Sequence, residues 1–327
     1  MSGGEPAANP GLVRDWARER VLVTGAGGFL GRHLVDALRA RRPAALLAPK
    51  HAELDLMERA AVRAFFASEK PTVVLHVAGA IGGIAANVAH PGEFVYRNVV
   101  MGAELLEACR LASVRRVVVA GTTCEYPADA PLPVAPASLW NGAPAPETAP
   151  YGHAKRLLFV QGEAYAKEHG LSVSHAILAN LYGPGDHLDE ARSHVATALL
   201  RRCLEARAAR AKEIVAWGSG TPTREFLFVR DAAEGLLLAA ERDPGGAPLN
   251  LGSGEEVAIA DLARLAAEAA GFQGAVRFDP AKPDGAKRRV LDASAARALG
   301  FSPRTRLAEG LRETADWMAR ELGIARG

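Results

Sequence analysis

The sequence predicts an α/β fold: a doubly wound parallel sheet covered by helices, followed by a smaller C-terminal α/β unit. Three observations predict it. Short apolar runs alternate with helical stretches from Arg20 to Asn180, those runs are continuous in Val, Leu and Ala, and the first of them leads into a glycine-rich turn that opens a helix. Strands buried on both faces lose the alternation of apolar and polar residues, so continuous apolar runs imply a parallel sheet between two helical layers.

The elements follow in order. Val21–Thr24 reads as the first strand, and Phe29, Leu30, His33, Leu34, Ala37 and Leu38 share one face of the helix behind it. Further strands are expected at Ala45–Ala48, Val73–Ala78, Val117–Ala120 and Val173–Leu178, with helices near Met57–Ala67, Pro91–Leu111 and Tyr151–His169. After Asn180 the alternation loosens into Pro/Gly-rich connections and a helix from His194 to about Ala209. Glu225–Ala240 reads as a strand and helix returning to the first sheet. The expected division is a first unit over 18–180 plus about 225–243, and a second over 181–224 and 244–327. Residues 1–17 read as a flexible tail without the apolar core of a signal peptide. The stretch from Pro127 to Pro150 is long enough to point to function rather than mere connection.

At 327 residues with 49% apolar content, the chain can bury the core of one large unit or two domains. A net charge of +2, with both signs interspersed, leaves no stripe for nucleic acid or a membrane surface. An anionic ligand must therefore be met by local groups. Cys109, Cys124 and Cys203 are an odd, scattered set that fits a reducing compartment, and no zinc-like spacing occurs, so no metal is expected. No apolar run reaches the roughly 20 residues that span a bilayer. A cytoplasmic protein is expected.

Gly25, Gly28 and Gly31 stand three apart between the first strand and its helix. Glycines there let a pyrophosphate approach the backbone and rest on the helix N-terminus, whose unpaired N–H groups and dipole favour negative charge. A tight strand-helix turn with no ligand would use the same residues. The second strand ends in Ala48-Pro49-Lys50-His51, where NAD enzymes place an acid for the ribose; a cation there favours the 2'-phosphate of NADP. Lys50 also suits a solvated turn, with Glu53 close by, and Asp55-Leu56 can cap the next helix or reach the adenine. Tyr151 and Lys155, four apart on a helix, project from one face. An ammonium beside a phenol favours phenolate, so the pair is expected to exchange a proton with a carbonyl near neutral pH. Thr122 and Thr123 add hydroxyls at the end of a central strand. Cys124 behind them reads as a small packing residue or, if its thiolate is stabilised, as a base for a proton beside a ketone. His194 after Ser193 reads as a helix-start residue or as that thiol's acid/base partner.

The glycine turn, the Thr122 hydroxyl and the Tyr151/Lys155 pair resemble the extended short-chain dehydrogenase/reductase family of nucleotide-sugar enzymes, from Val21 to about Leu322. Within it the chain is most similar to the branch that forms GDP-L-fucose. That likeness is carried by Phe65–Glu69, Gly82–Asn87, Thr123–Pro127, Asn180–Pro184, Ser193–Val195, Trp217–Phe226 and Lys282–Gly285. The resemblance implies a Rossmann-type fold, NADP(H), a homodimer paired through helices, and a GDP-linked 4-keto-6-deoxy-sugar epimerised at C3 and C5 and then reduced at C4. It places cofactor contacts at Gly25, Gly28, Phe29, Leu30, Gly31, Lys50, His51, Asp55, Leu56, Ala78, Ala80, Tyr151, Lys155, Leu178, Asn180 and Leu181. It puts Asn180, Arg202, Trp217, Arg224 and Lys282 around the substrate's nucleotide diphosphate, where each alone could be a surface cation or a packing residue. It makes Thr122, Cys124, Tyr151, Lys155 and His194 the catalytic set. Related 4,6-dehydratases carry an Asp-Glu pair where Thr123 and Cys124 stand, so elimination lacks its acid and base here. Ala26-Gly27 replaces a larger basic pair, the Thr122-Thr123 pair replaces serines, and Leu178 stands where the family has proline. A C4 reductase for another deoxysugar or heptose, or a non-catalytic NADP-binding regulator, would keep much of the same scaffold.

Overall fold

The computed structural model describes residues 11–189, 193–282 and 287–325. Its elements are β1 (Arg20–Thr24), α1 (Phe29–Arg41), β2 (Ala45–Leu47), α2 (Arg59–Glu69), β3 (Val73–His76), α3 (Ile84–Ala89), α4 (Pro91–Leu111), β4 (Arg116–Thr122), α5 (Ala149–His169), β5 (Ser172–Leu178) and β6 (Asn180–Tyr182). They continue as α6 (Val195–Ala208), β7 (Glu213–Trp217), β8 (Thr223–Phe228), α7 (Val229–Arg242), β9 (Leu249–Leu251), β10 (Glu256–Ala258), α8 (Ile259–Ala270), β11 (Ala275–Asp279), β12 (Arg288–Arg289), α9 (Ser294–Ala298) and α10 (Leu307–Glu321).

The first sheet runs β2-β1-β3-β4-β5-β9, all parallel. Successive strand residues face opposite layers, as a pleated backbone requires. Val21, Val23, Val73, Leu75 and Val118 join the core under α1 and α7. Leu22, Val74, Val117 and Val119 join the core under α2 and α4. The chain order reverses between β1 and β3, and in such sheets the crevice beyond the strand ends at the reversal is where ligands bind. A second sheet has β8 between β10 and β12 with β6 also paired to β8, and β7 pairs β11; α6, α8 and α10 close a separate core. Among the described residues no helix is long and apolar enough to cross a membrane.

Three expectations need correction. Residues 1–10 lie outside the described residues, but the rest of the expected tail is packed: Leu12, Val13 and Trp16 are buried, and Trp16 Nε1 donates to Glu241 Oε1 at 2.7 Å. The indole covers the end of α7, which local sequence could not show because α7 lies over 200 residues away. Trp16→Ala should destabilise the fold by about 3–5 kcal/mol, the cost of emptying a large buried site, read by urea unfolding. The strand expected to return with α7 pairs β6 instead, so Glu225–Phe228 belongs to the second sheet while α7 alone covers the first. Leu249–Leu251, expected in the second unit, is the sixth strand of the first sheet. Three residues are too short a run to register as a strand without their partner.

Candidate active site

The cofactor turn is built by backbone approach. Gly25 has φ +71°, and a Cβ there would lie 2.8 Å from the Ala78 backbone. A Cβ on Gly31 would lie 2.0 Å from the Gly25 carbonyl oxygen, whereas Gly27 has nothing within 4 Å. Gly28 N donates to Gly25 O at 2.9 Å and caps α1 without any side-chain hydrogen bond. The first N–H groups of α1 therefore have no side-chain cap, and a turn with glycine at 25, 27 and 28 fits a dinucleotide pyrophosphate. Phe29 and Leu30 form the first turn of α1. Across the crevice, Ala78 and Ala80 lie in a strap after β3 that the buried Asn98 fixes by accepting from Ala80 N and donating to Ala80 O. Sequence reading missed Asn98, since a lone asparagine within a helix carries no spacing signal.

Lys50 and His51 are exposed beyond β2. The acids near them are engaged locally: Glu53 accepts from Lys50 N, and Asp55 accepts from Met57 N with His51 Nε2 at 3.8 Å. Asp55 thus closes the turn ahead of α2 rather than capping the helix, whose N-cap is Glu58. Leu56 and Leu178 are buried in the two cores. Leu181 is partly buried against the core that holds Leu178, and Asn180 Nδ2 donates to Glu225 O.

The candidate catalytic groups meet where β4 ends. Thr122 caps the short turn Thr123–Glu125, its hydroxyl accepting from Cys124 N at 3.3 Å while its own N–H donates to Glu125 Oε1 at 2.7 Å. The start of α5 packs on this turn, because a Cβ on Gly152 would lie 2.2 Å from Cys124 O. Tyr151 and Lys155 are buried one helical turn apart, and Lys155 Nζ donates to Ala120 O at 3.0 Å. Cys124 is half-buried, in contrast to Cys109 and Cys203, whose thiols burial pushes up.

The expected phenolate is not what this environment favours. Burial first, then the charges of Cys124 and Glu125, push the Tyr151 phenol up, while burial lowers Lys155 to about 8 against the opposing pull of Glu125. A carbonyl oxygen, not the phenol, holds the ammonium. The tyrosine is therefore kept as an acid, the form that a proton donor in reduction requires.

His194 caps α6, as its position predicts, and Asp186 orients it: Nδ1 lies 3.1 Å from both Asp186 carboxylate oxygens. Asp186 is itself buried and accepts from Thr197 Oγ1 at 2.5 Å. Burial opposes the imidazolium, but the hydrogen bond and charge of Asp186 outweigh it and raise the His194 pKa. The His194 ring lies 6.3 Å from that of Phe29 in the cofactor turn. No hydrogen bond joins His194 to Cys124 among the described residues. Sequence reading missed Asp186, because Gly183-Pro184-Gly185-Asp186 looks like an ordinary turn.

On the substrate side, the exposed Trp217 ring lies 5.9 Å from the Arg202 guanidinium and 5.6 Å from Lys282 Nζ. The three form one cluster, while Pro283–Gly285 lie outside the described residues. Arg224, in β8, donates to Thr223 O. Arg289, not foreseen, reaches from β12 to donate to Thr123 O at 2.9 Å, tying the second sheet to the turn that carries Cys124. The arrangement offers a thiol, an oriented imidazole and a phenol–ammonium pair beside a dinucleotide crevice, with an exposed cluster of two cations and an indole in the second unit.

A family model described as the NAD dependent epimerase/dehydratase family matches residues 21–252. The chain is 38% identical over 299 residues to a probable GDP-L-fucose synthase 1 of Oryza sativa subsp. japonica, with 91% of each chain covered. A GDP-L-fucose synthetase from Naegleria fowleri bound to NADP superposes with a TM-score of 0.87 at 26% identity, over 97% of this chain and 99% of that one. A GDP-D-glycero-L-gluco-heptose synthase from Campylobacter jejuni, solved in the presence of NADPH, gives 0.85 at 25% identity, over 94% and 100%.

Proposed function

The chain belongs to the NAD dependent epimerase/dehydratase family, and we propose that it is an NADPH-dependent 3,5-epimerase/4-reductase converting GDP-4-keto-6-deoxy-mannose to GDP-L-fucose. The observation that carries this reading is the packing of the Cys124 turn against the start of α5, which sets a thiol beside the Tyr151/Lys155 pair. The turn at Gly25–Gly31 and the N-terminus of α1 would hold the pyrophosphate, Lys50 and His51 the ribose 2'-phosphate, and the Ala78–Ala80 strap the nicotinamide side. Bound there, NADPH supplies the hydride for C4.

Protons on C3 and C5 are acidified by the C4 ketone, and removal of one leaves an enolate that must be reprotonated on the opposite face. Cys124 serves as one member of that acid/base pair and His194 as the other, its imidazole fixed by Asp186 so that Nε2 is the exchanging nitrogen. Tyr151 then protonates O4 as the alcohol forms. Lys155 holds the ribose and the site's positive charge, and the Thr122 hydroxyl donates to the same oxygen while continuing to accept from Cys124 N. Arg202, Trp217, Arg224 and Lys282 would bind the nucleotide diphosphate. A homodimer fits the exposed Tyr96 of α4 and the exposed Leu157 and Val160 of α5. Reduction of a GDP-heptose is the second reading, supported by the Campylobacter jejuni neighbour, and product NMR from each keto-sugar separates the two.

The test is NADPH consumption with GDP-4-keto-6-deoxy-mannose in deuterated water. Wild-type protein should place deuterium at C3 and C5, and Cys124→Ser should lose that exchange by about 100-fold or more while still reducing some unepimerised ketone. Unchanged exchange in Cys124→Ser would remove the thiol from the mechanism.

A further inference from the structure

Glu125 follows Cys124 directly, yet its side chain is 0% exposed. Its carboxylate spans two elements: Oε1 accepts from Thr122 N at 2.7 Å, and Oε2 lies 2.8 Å from Nε2 of His175 in β5, also buried. Its carbonyl oxygen accepts from Arg156 Nε of α5 at 2.6 Å. A Cβ at Gly121 would lie 2.6 Å from Glu125 Oε1 and 2.7 Å from His175 Nε2, so the glycine in β4 is what lets the two side chains meet.

This pairing is poor design for stability alone. His175 Nδ1 has no hydrogen-bond partner among the described residues, and an orphaned buried polar atom costs about 1–3 kcal/mol. Apolar side chains filling the same volume are often at least as stable as a buried charged pair. The carboxylate does, however, lie against Gly121, the neighbour of Ala120 whose carbonyl holds the Lys155 ammonium. We propose that Glu125, backed by His175, is the positioning residue of this site: its side chain ties the turn bearing Thr122 and Cys124 to β5 and sets a carboxylate beside the stretch of β4 that holds the Lys155 ammonium. The proposal rests on the reading of Tyr151 and Lys155 given above.

The electrostatics agree with the geometry. Lys155 is lowered to about 8 by burial, and Glu125 is the group that opposes the fall. Of the other titratable groups, His76 of β3 feels the Lys155 charge, and Tyr151 stands one turn away on the same helix. His76 is held neutral near 3 by burial, with the Lys155 and His175 charges adding to the effect, so it supplies no competing charge. Burial, reinforced by the charges of Cys124 and Glu125, keeps the Tyr151 phenol protonated. Removing the carboxylate therefore takes away the stabilisation of the ammonium, which is then lost at a lower pH.

Glu125→Gln tests this, because the amide can still accept from Thr122 N and bond His175 but carries no charge. NADPH binding needs no sugar, and nicotinamide fluorescence followed from pH 6.5 to 9.5 reads the loss of the Lys155 ammonium. The wild-type midpoint should lie near 8, and the glutamine variant's should fall by about one unit. Above both midpoints kcat for keto-sugar reduction should then drop about tenfold with KM within about twofold. An unshifted midpoint overturns the proposal. Glu125→Asp keeps the charge but cannot reach both Thr122 N and His175, and it decides the matter even if the glutamine variant does not fold. Its midpoint should stay put while kcat falls; a shifted midpoint or an unchanged kcat overturns the proposal. Wild-type protein that binds NADPH but turns over no nucleotide keto-sugar would sink the functional reading instead, leaving the binding arm to judge Glu125.

Discussion

Tyr151→Phe should lower the rate of C4 reduction by about 100- to 10,000-fold, with NADPH affinity little changed and deuterium exchange at C3 and C5 retained. The loss follows from where the phenol sits. It is 8% exposed, and burial with two neighbouring acidic groups keeps it protonated across the working range. As C4 gains hydride, its oxygen becomes an alkoxide that must take a proton in a site shut off from bulk water, and phenylalanine leaves no donor there. Lys155 adds a pH dependence. Its folded pKa is lowered to about 8, so the ammonium is present below that value and lost as pH rises through it; reduction should decline on that alkaline limb. Stopped-flow NADPH oxidation of the two proteins, beside proton exchange followed by NMR, separates the two half-reactions. A Tyr151→Phe protein reducing at the wild-type rate would show that another group donates the proton.

The parts of the fold that are local in sequence were legible. Runs such as Val73–His76 and Val117–Ala120 carry their own burial pattern, and the glycines at 25, 28 and 31 each meet a backbone contact that their spacing implies. The parts that depend on distant partners were not. Trp16 has meaning only against Glu241, and Leu249–Leu251 only beside β5. The site divides along the same line. Thr122, Cys124, Tyr151, Lys155 and His194 are placed by motif, but the groups that orient them arrive from elsewhere: Asp186 for His194, Arg289 for the Thr123 carbonyl, His175 for Glu125. Glu125 alone had a local signature, since Thr122 and Glu125 stand at the capping-box spacing. Motif residues also hid their direction. Leu56 and Leu178, assigned to the cofactor by likeness, are buried among apolar neighbours from distant elements, which their own motifs do not reveal.

Gly31→Ala should abolish NADPH binding over the range in which wild-type protein saturates, weakening it at least about 100-fold, and should destabilise the apoprotein by about 1–3 kcal/mol. The added methyl would sit 2.0 Å from the Gly25 carbonyl oxygen and 2.8 Å from Ala26 Cα. Both are backbone atoms, so no rotamer change relieves the clash and α1 must move away from β1. That movement displaces the helix N-terminus from the crevice and costs the pyrophosphate its N–H donors together. Gly27→Ala is the matched control for packing: its methyl would meet nothing within 4 Å, so it should unfold within about 0.5 kcal/mol of wild type and keep more affinity for NADPH than Gly31→Ala. The same atom added four residues apart should thus have very different consequences for stability, because only one of the two positions meets backbone. Fluorescence titration with NADPH and urea unfolding of both variants provide the comparison, and equal binding by the two would show that contact with the Gly25 carbonyl does not set the cofactor site.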